Sequence, residues 1–158
     1  MKHLPKYLRP RWRYLAVDIE TWPDADIDRK RFQRHVWYAA QNLVGDVGSA
    51  DTDLSVIRFE PVACGAEAIV RVRRGEADRG RAVLACLDTV DGEEVGVRVR
   101  GVSGTVRACE EKYMGGRSER TEQSQVVLGG AERTADVRDG RVDVRVDGAY
   151  AGATDLDI

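Results

Sequence analysis

The stretch Trp12-Arg13-Tyr14-Leu15-Ala16-Val17-Asp18-Ile19-Glu20 sets Leu15, Val17 and Ile19 on one face and Trp12, Tyr14, Ala16 and Asp18 on the other. That period of two is the pattern of a strand with one buried face. The turn Thr21-Trp22-Pro23-Asp24 ends it. From about Asp28 to Val44, Phe32, Val36, Ala40 and Leu43 recur at helical spacing, with Asp26 or Asp28 as N-cap and Gly45 as terminator. Gly45 to Thr52 reads as a polar connection. Two β-like runs follow, Asp53 to Glu60 and Gly65 to Arg73, and the short spacer Pro61 to Cys64 makes them an antiparallel pair. In the second run Ala66, Ala68, Val70 and Val72 share one face, Arg71 and Arg73 the other. A second helix, Glu76 to about Asp88, gathers Val83, Leu84 and Leu87, and a last strand, Glu93 to Val102, sets Val95, Val97 and Val99 opposite Arg98 and Arg100. The order βαββαβ predicts an α/β (α+β) domain of the ferredoxin-like kind, a four-stranded antiparallel sheet with two helices on one face.

In that fold the first and third strands are central and the fourth lies beside the first. The helix-free face then gathers Trp12, Tyr14, Arg71, Arg73, Arg98 and Arg100. Aromatics with Arg on an open sheet stack and clamp single-stranded RNA. A protein interface or a solvated Arg face fits the same pattern. The RNA recognition motif carries its aromatics in the third strand, where this chain has Glu67, Ile69, Arg71 and Arg73, so standard base stacking is not expected. Beyond the last strand, Gly104 permits a tight exit, Ser103 or Thr105 can cap, and Val106, Cys109 and Tyr113 form one helical stripe. A C-terminal third helix follows, with Arg107 in a first turn suited to phosphate.

The charge is distributed unevenly. Residues 1 to 13 carry Lys2, Lys6, Arg9, Arg11 and Arg13 and no acidic residue, although the whole chain has a formal net charge of −2. Massed cations repel one another, and the usual reason to keep them is a polyanionic partner; a solvated terminus is the alternative. Residues 14 to 120 hold 16 basic against 19 acidic side chains, and residues 121 to 158 hold 4 against 8. Such a gradient favours one oriented partner. The cations are 21 Arg and 4 Lys, usage that fits either GC-rich codons or a cytoplasm of high salt, where bidentate Arg contacts outlast simple counterion release.

At 158 residues the chain suits one domain and a tail: a basic arm over 1–13, the ferredoxin-like domain over 12–114, and an acidic, flexible tail over 115–158. Within the tail, residues 115 to about 130 read as a linker, and Thr134 to Arg138 with Arg141 to Val146 alternate around Asp139-Gly140 like a hairpin. An isolated hairpin is marginal, so disorder is expected, with the acid aiding solubility or competing for the basic head. No secretory signal and no run of about 20 apolar residues is present, which predicts a cytoplasmic protein without a membrane span. Cys64, Cys86 and Cys109 lie far apart, with only His3 and His35 to join them, so no zinc spacing exists. Asp24, Asp26 and Asp28 imitate the start of a calcium loop, but Arg29 stands where Gly is needed and His35 where the closing Glu belongs. Neither a catalytic residue nor a metal ligand is assigned. An acylphosphatase-like enzyme on the same architecture would need an anion-binding Arg loop after the first strand, and Thr21 to Asp26 is acidic and lacks one. A regulatory or protein-interaction module without RNA stays open.

Together the head, Leu4 to Tyr14, and the segment Gly101 to Tyr113 resemble the archaeal component 2 family of ribonuclease P, relatives of the eukaryotic Pop-five subunit, over roughly residues 1 to 114. The resemblance implies a protein subunit of the ribonucleoprotein that removes 5′ leaders from precursor transfer RNA. It implies that the RNA, with its Mg²⁺, does the chemistry and that the chain itself binds no cofactor. The implied partners are ribonuclease P RNA, precursor transfer RNA, a component 3 protein of the Rpp-thirty type and other holoenzyme proteins. The resemblance also sets Lys2, Lys6, Arg9, Arg11 and Arg13 against RNA, with Arg107 and Lys112 extending that surface.

Overall fold

The computed structural model describes residues 4–115, 122–138 and 141–154. Lys2, His3, the Asp139-Gly140 turn and residues 155–158 lie outside the described residues. A short 3-10 turn, Lys6–Leu8, leads into strand β1, Trp12–Thr21. Helix α1 follows at Arg29–Thr52, then β2 at Ser55–Val62, β3 at Gly65–Arg73 and helix α2 at Ala77–Ala85. A two-residue strand β4, Thr89–Val90, precedes β5, Glu93–Ser103, and helix α3 is Val106–Tyr113. The first sheet runs β2-β3-β1-β5-β4, all antiparallel, with β1 and β3 central and β5 beside β1 as expected. Its fifth strand, β4, is a small hairpin arm that the sequence reading did not include.

The apolar alternation of the strands accounts for the core. Leu15, Val17 and Ile19 of β1, Val56 of β2, and Ala66, Ala68, Val70 and Val72 of β3 meet Phe32, Val36 and Ala40 of α1 and Val83 and Leu84 of α2. Each of the Leu, Val, Ile and Phe side chains contributes about 1.5–3 kcal/mol by leaving water, the alanines less. The Asp28 side chain caps α1 by accepting from the Arg31 amide at 2.8 Å. Gly45 breaks the helix as anticipated, at φ 72°, a left-handed conformation open to glycine. The chain then resumes helical structure up to Thr52 instead of forming a polar loop, because Gly48 and Thr52 are buried and the Thr52 hydroxyl donates to the Gly48 carbonyl at 3.0 Å.

The opposite face of the sheet is not helix-free. Ala16 and Ile69 leave an apolar strip in its middle, and α3 folds back over that strip with Val106, Cys109 and Tyr113, joined by Met114. Gly101 makes this possible: a Cβ there would overlap Cζ of Tyr113, so the ring rests directly on the backbone of β5. Thr105, not Ser103, is the cap, accepting from the Ala108 amide at 3.1 Å.

The acidic segment is also more structured than expected. Strands β6 (Glu122–Leu128), β7 (Ala131–Arg138), β8 (Arg141–Val146) and β9 (Ala149–Thr154) form a four-stranded antiparallel meander. The anticipated hairpin is its centre, pairing Ala135 with Val144 and Arg138 with Arg141. A hairpin alone is marginal, but two flanking strands let Val126, Ala135, Val142 and Val144 share a small core. The sheet is fastened to the first one by Arg138, which is buried and donates to the carbonyls of Ala63 at 2.8 Å and Cys64 at 3.3 Å. Trp22 stacks on Tyr150 with centroids 6.1 Å apart, and Arg141 pairs with Glu20.

Candidate nucleic-acid interface

The sequence gathered six residues onto one face, and the structure divides them. Trp12, Arg71 and Arg73 come together at the end of the sheet where β1 begins. In the β1–β3 register Trp12 stands opposite Arg73, and Tyr14 opposite Arg71, which places Arg71 on the diagonal from Trp12. The Arg71 guanidinium lies 3.9 Å from the Trp12 ring centroid and that of Arg73 4.6 Å. Such stacking holds a planar cation in place by its attraction to the ring's negative face. Tyr14 is instead covered by α3, its carbonyl facing the Cys109 thiol at 3.9 Å. Arg98 and Arg100 sit farther along the sheet, where the Asp18 carboxylate faces both, at 3.8 Å and 3.7 Å.

The basic head joins the Trp12 end. Its turn is closed by the Leu8 amide bonding to the Pro5 carbonyl at 2.9 Å and by Arg9 Nε donating to the Leu4 carbonyl at 2.9 Å. Lys6, Arg9 and Arg11 are exposed, beside Tyr7 and Leu8, which are exposed too. The amide of Arg74 donates to the Arg11 carbonyl at 3.0 Å, sewing the head to the exit of β3. Arg13 reaches the loop before α3, where a Cβ on Gly104 would lie 3.2 Å from Arg13 Nη1. So Arg71 and Arg73 stack on one indole, and Arg11, Arg13 and Arg74, drawn from the same two distant segments, stand at that end of the sheet. Asp53 supplies a carboxylate nearby, 3.4 Å from Arg73 Nη2. Arg74 escaped the sequence reading; the signal was its position directly after Arg73, in register with the head.

Arg107 and Lys112 are exposed on α3, and Arg107 is engaged with Glu111 at 2.9 Å, an i,i+4 pair. Of the first-half cations on α1, Arg31 and Arg34 turn toward Asp91, whose Oδ1 is also hydrogen-bonded with His35 Nε2 at 2.8 Å. That cluster ties α1 to the turn between β4 and β5. The His35 hydrogen bond, opposed by partial burial and aided by Arg34, holds the Asp91 carboxyl below its ordinary value.

At the other end of β1, nine residues and about 30 Å from Trp12, the second sheet is docked, against Glu20, Trp22, Ala63 and Cys64. It therefore does not compete for the basic head. A cleft of about 490 Å³ separates the two sheets there, lined by Glu20, Glu94 and Asp143 with Arg138 and Arg141. Its cations are already engaged within the seam, so it lacks the free positive charge of the Trp12 end. No group of three or more His, Cys, Asp or Glu side chains suited to a metal occurs among the described residues, and none of their helices is long and apolar enough to cross a membrane.

Ribonuclease P protein component 2 of Haloarcula marismortui is 63% identical over 159 residues, 99% of each chain. The protein of the same name from Natronomonas pharaonis is 63% identical over 158 residues, 100% of this chain and 98% of that one. The component 2 of Methanosarcina mazei is 33% identical over 114 residues, which is 72% of this chain and 93% of the relative. A chain in the cryo-EM structure of yeast ribonuclease MRP superposes at a TM-score of 0.47, with 17% identity over 61% of this chain and 76% of that one. The profile of one family matches residues 13–114, from the start of β1 to the end of α3, and with these relatives it shows that the chain belongs to the Rpp14/Pop5 family.

Proposed function

We infer that this chain is a protein subunit of ribonuclease P, the ribonucleoprotein endonuclease that matures the 5′ ends of transfer RNA. Relatives at 63% identity over essentially the whole chain carry the name ribonuclease P protein component 2. The chain contributes no catalytic group; it serves the RNA, whose Mg²⁺-dependent chemistry cuts the leader. The observation that carries the reading is the stacking of Arg71 and Arg73 on Trp12 at the end of the sheet where Arg11, Arg13 and Arg74 also stand, with the exposed Lys6 and Arg9 continuing the surface.

The role is electrostatic. A folded RNA brings phosphates close together, and cations fixed by a protein replace part of the Mg²⁺ that would otherwise screen them. Arg71 and Arg73, stacked on Trp12, present planar donor edges that fit phosphate bidentately. Because indole and strand pairing already order them, little side-chain freedom is lost on binding. Lys2, Arg107 and Lys112 extend this surface in the proposal. Precursor transfer RNA, a component 3 protein of the Rpp-thirty type and other holoenzyme proteins complete the assembly. Trp37, Tyr38, Leu43 and Val47 are exposed along α1, apolar surface that supports a protein contact.

Purification of the native complex tests the reading. Nuclease-sensitive RNA that supports cleavage of precursor transfer RNA is expected, with no cleavage by the chain alone. An RNA-free assembly, or cleavage by the chain without RNA, would overturn it.

A further inference from the structure

The first sheet has two edges, and the protein treats them differently. At the start of the β2 edge, side chains of α1 occupy outward backbone groups. Arg29 Nη2 donates to the Val56 carbonyl at 2.8 Å, Trp37 Nε1 to the Leu54 carbonyl at 2.8 Å, and the Gln33 carbonyl oxygen accepts from the Val56 amide. The start of that edge is thereby closed to further strands. On the opposite side, β4 pairs only with Glu93 and Glu94 of β5. The Val95 amide points away from β1, since it donates to the Asp88 carbonyl at 2.9 Å. Backbone groups of alternate residues share a direction, so those of Val97 and Val99 also point outward, and among the described residues no strand pairs with them.

The side chains beside this open edge say what fits it. Val97 and Val99 pack toward the helical layer, while Arg98 and Arg100 stand on the α3 face and share the single carboxylate Asp18. A second copy of the chain is a poor occupant. A two-fold axis at Val99 would oppose Arg98 and Arg100, and one at Arg98 would oppose it to itself, like charges that weaken a strand pair. An acidic partner strand gains from the same two cations. We propose that the outer edge of β5 receives an extended segment of another protein, one alternating acidic with apolar side chains, which adds a strand through the backbone groups of Val97 and Val99.

This surface is separate from the Trp12 end, and the proposal stands or falls independently of RNA binding there. The test is amide hydrogen exchange on the full chain with a short synthetic peptide alternating valine and glutamate, compared with one carrying lysine in place of glutamate. Slowed exchange at Val97 and Val99 with the glutamate peptide is expected. Arg98→Glu with Arg100→Glu should shift the preference toward the lysine peptide by roughly tenfold. Arg98→Gln with Arg100→Gln, which spares Asp18 a facing carboxylate, should abolish the discrimination if the reversed variant does not fold. Three results would overturn the proposal: no protection by the glutamate peptide or equal protection by the lysine peptide, protection that grows with protein concentration alone, or protection of the same amides by polyuridylate.

Discussion

Replacing Arg9, Arg11 and Arg13 together with Ala removes three charges whose effect on RNA binding is calculable. None of the three makes an ion pair among the described residues, so each is available to a phosphate. Arg9 and Arg11 are exposed and Arg13 is half-buried at the loop before α3, so the fold should shift by no more than about 0.5 kcal/mol per site. A contact that neutralises one phosphate contributes about 0.7 to the slope of log K against log salt on single strands and about 0.9 on duplex. Three lost contacts lower the slope by roughly 2 to 3. Fluorescence anisotropy of labelled ribonuclease P RNA, titrated at several potassium chloride concentrations and fixed Mg²⁺, reads that slope. Reconstituted cleavage should also need more Mg²⁺ to reach half its maximal rate. An affinity loss with an unchanged slope would refute the phosphate reading, and an unchanged Mg²⁺ requirement would refute the proposed role.

Arg138→Ala should release the second sheet, losing charge-assisted hydrogen bonds to the carbonyls of Ala63 and Cys64, at a cost of about 1.5–3 kcal/mol in urea unfolding; RNA affinity should hold, and a marked drop would contradict the separation of the two ends. Gly101→Ala forces the Tyr113 ring off the sheet and should destabilise by about 1–3 kcal/mol, with Tyr113→Leu in the same chain restoring part of the loss; additive effects would mean the two do not meet. Asp91, whose pKa is lowered chiefly by the His35 hydrogen bond, stabilises the charged folded form. Its contribution is complete above the ordinary value of 3.8 and disappears as pH falls below it. Thermal melts across that range should show a shallower acid loss for Asp91→Asn than for the parent, and parallel curves would exclude Asp91 as a source.

Much of the first sheet was legible because each strand carries a local signal. In β1 and β3 the alternation of apolar and polar residues states which face is buried, and the Asp28 cap and Gly45 bracket the first part of α1. The resumption of helix up to Thr52 was hidden because its anchors, Gly48 and Thr52, read as polar loop residues until α1 packs against α2 and β2. The second sheet was hidden for a related reason: its strands are short, and a strand pair has no stability to advertise until neighbours complete the core around Val142 and Val144. Arg138 looked like one more charged residue of an acidic tail, and its burial follows only from the docking of the two sheets.

The candidate interface divides in the same way. Residue types and order alone determined that cations crowd the head, that Trp12 heads a strand, and that the strands and helices follow in a ferredoxin-like sequence. Register decided the rest. Pairing of β1 with β3 puts Arg71 and Arg73 on Trp12, the return of α3 over Ala16 and Ile69 separates them from Arg98 and Arg100, and docking at Glu20 and Trp22 keeps the acidic strands about 30 Å away. Alternation along a strand is a property of neighbouring residues and can be read from the chain; which cations share an indole depends on contacts between residues some sixty positions apart, and only packing selects those.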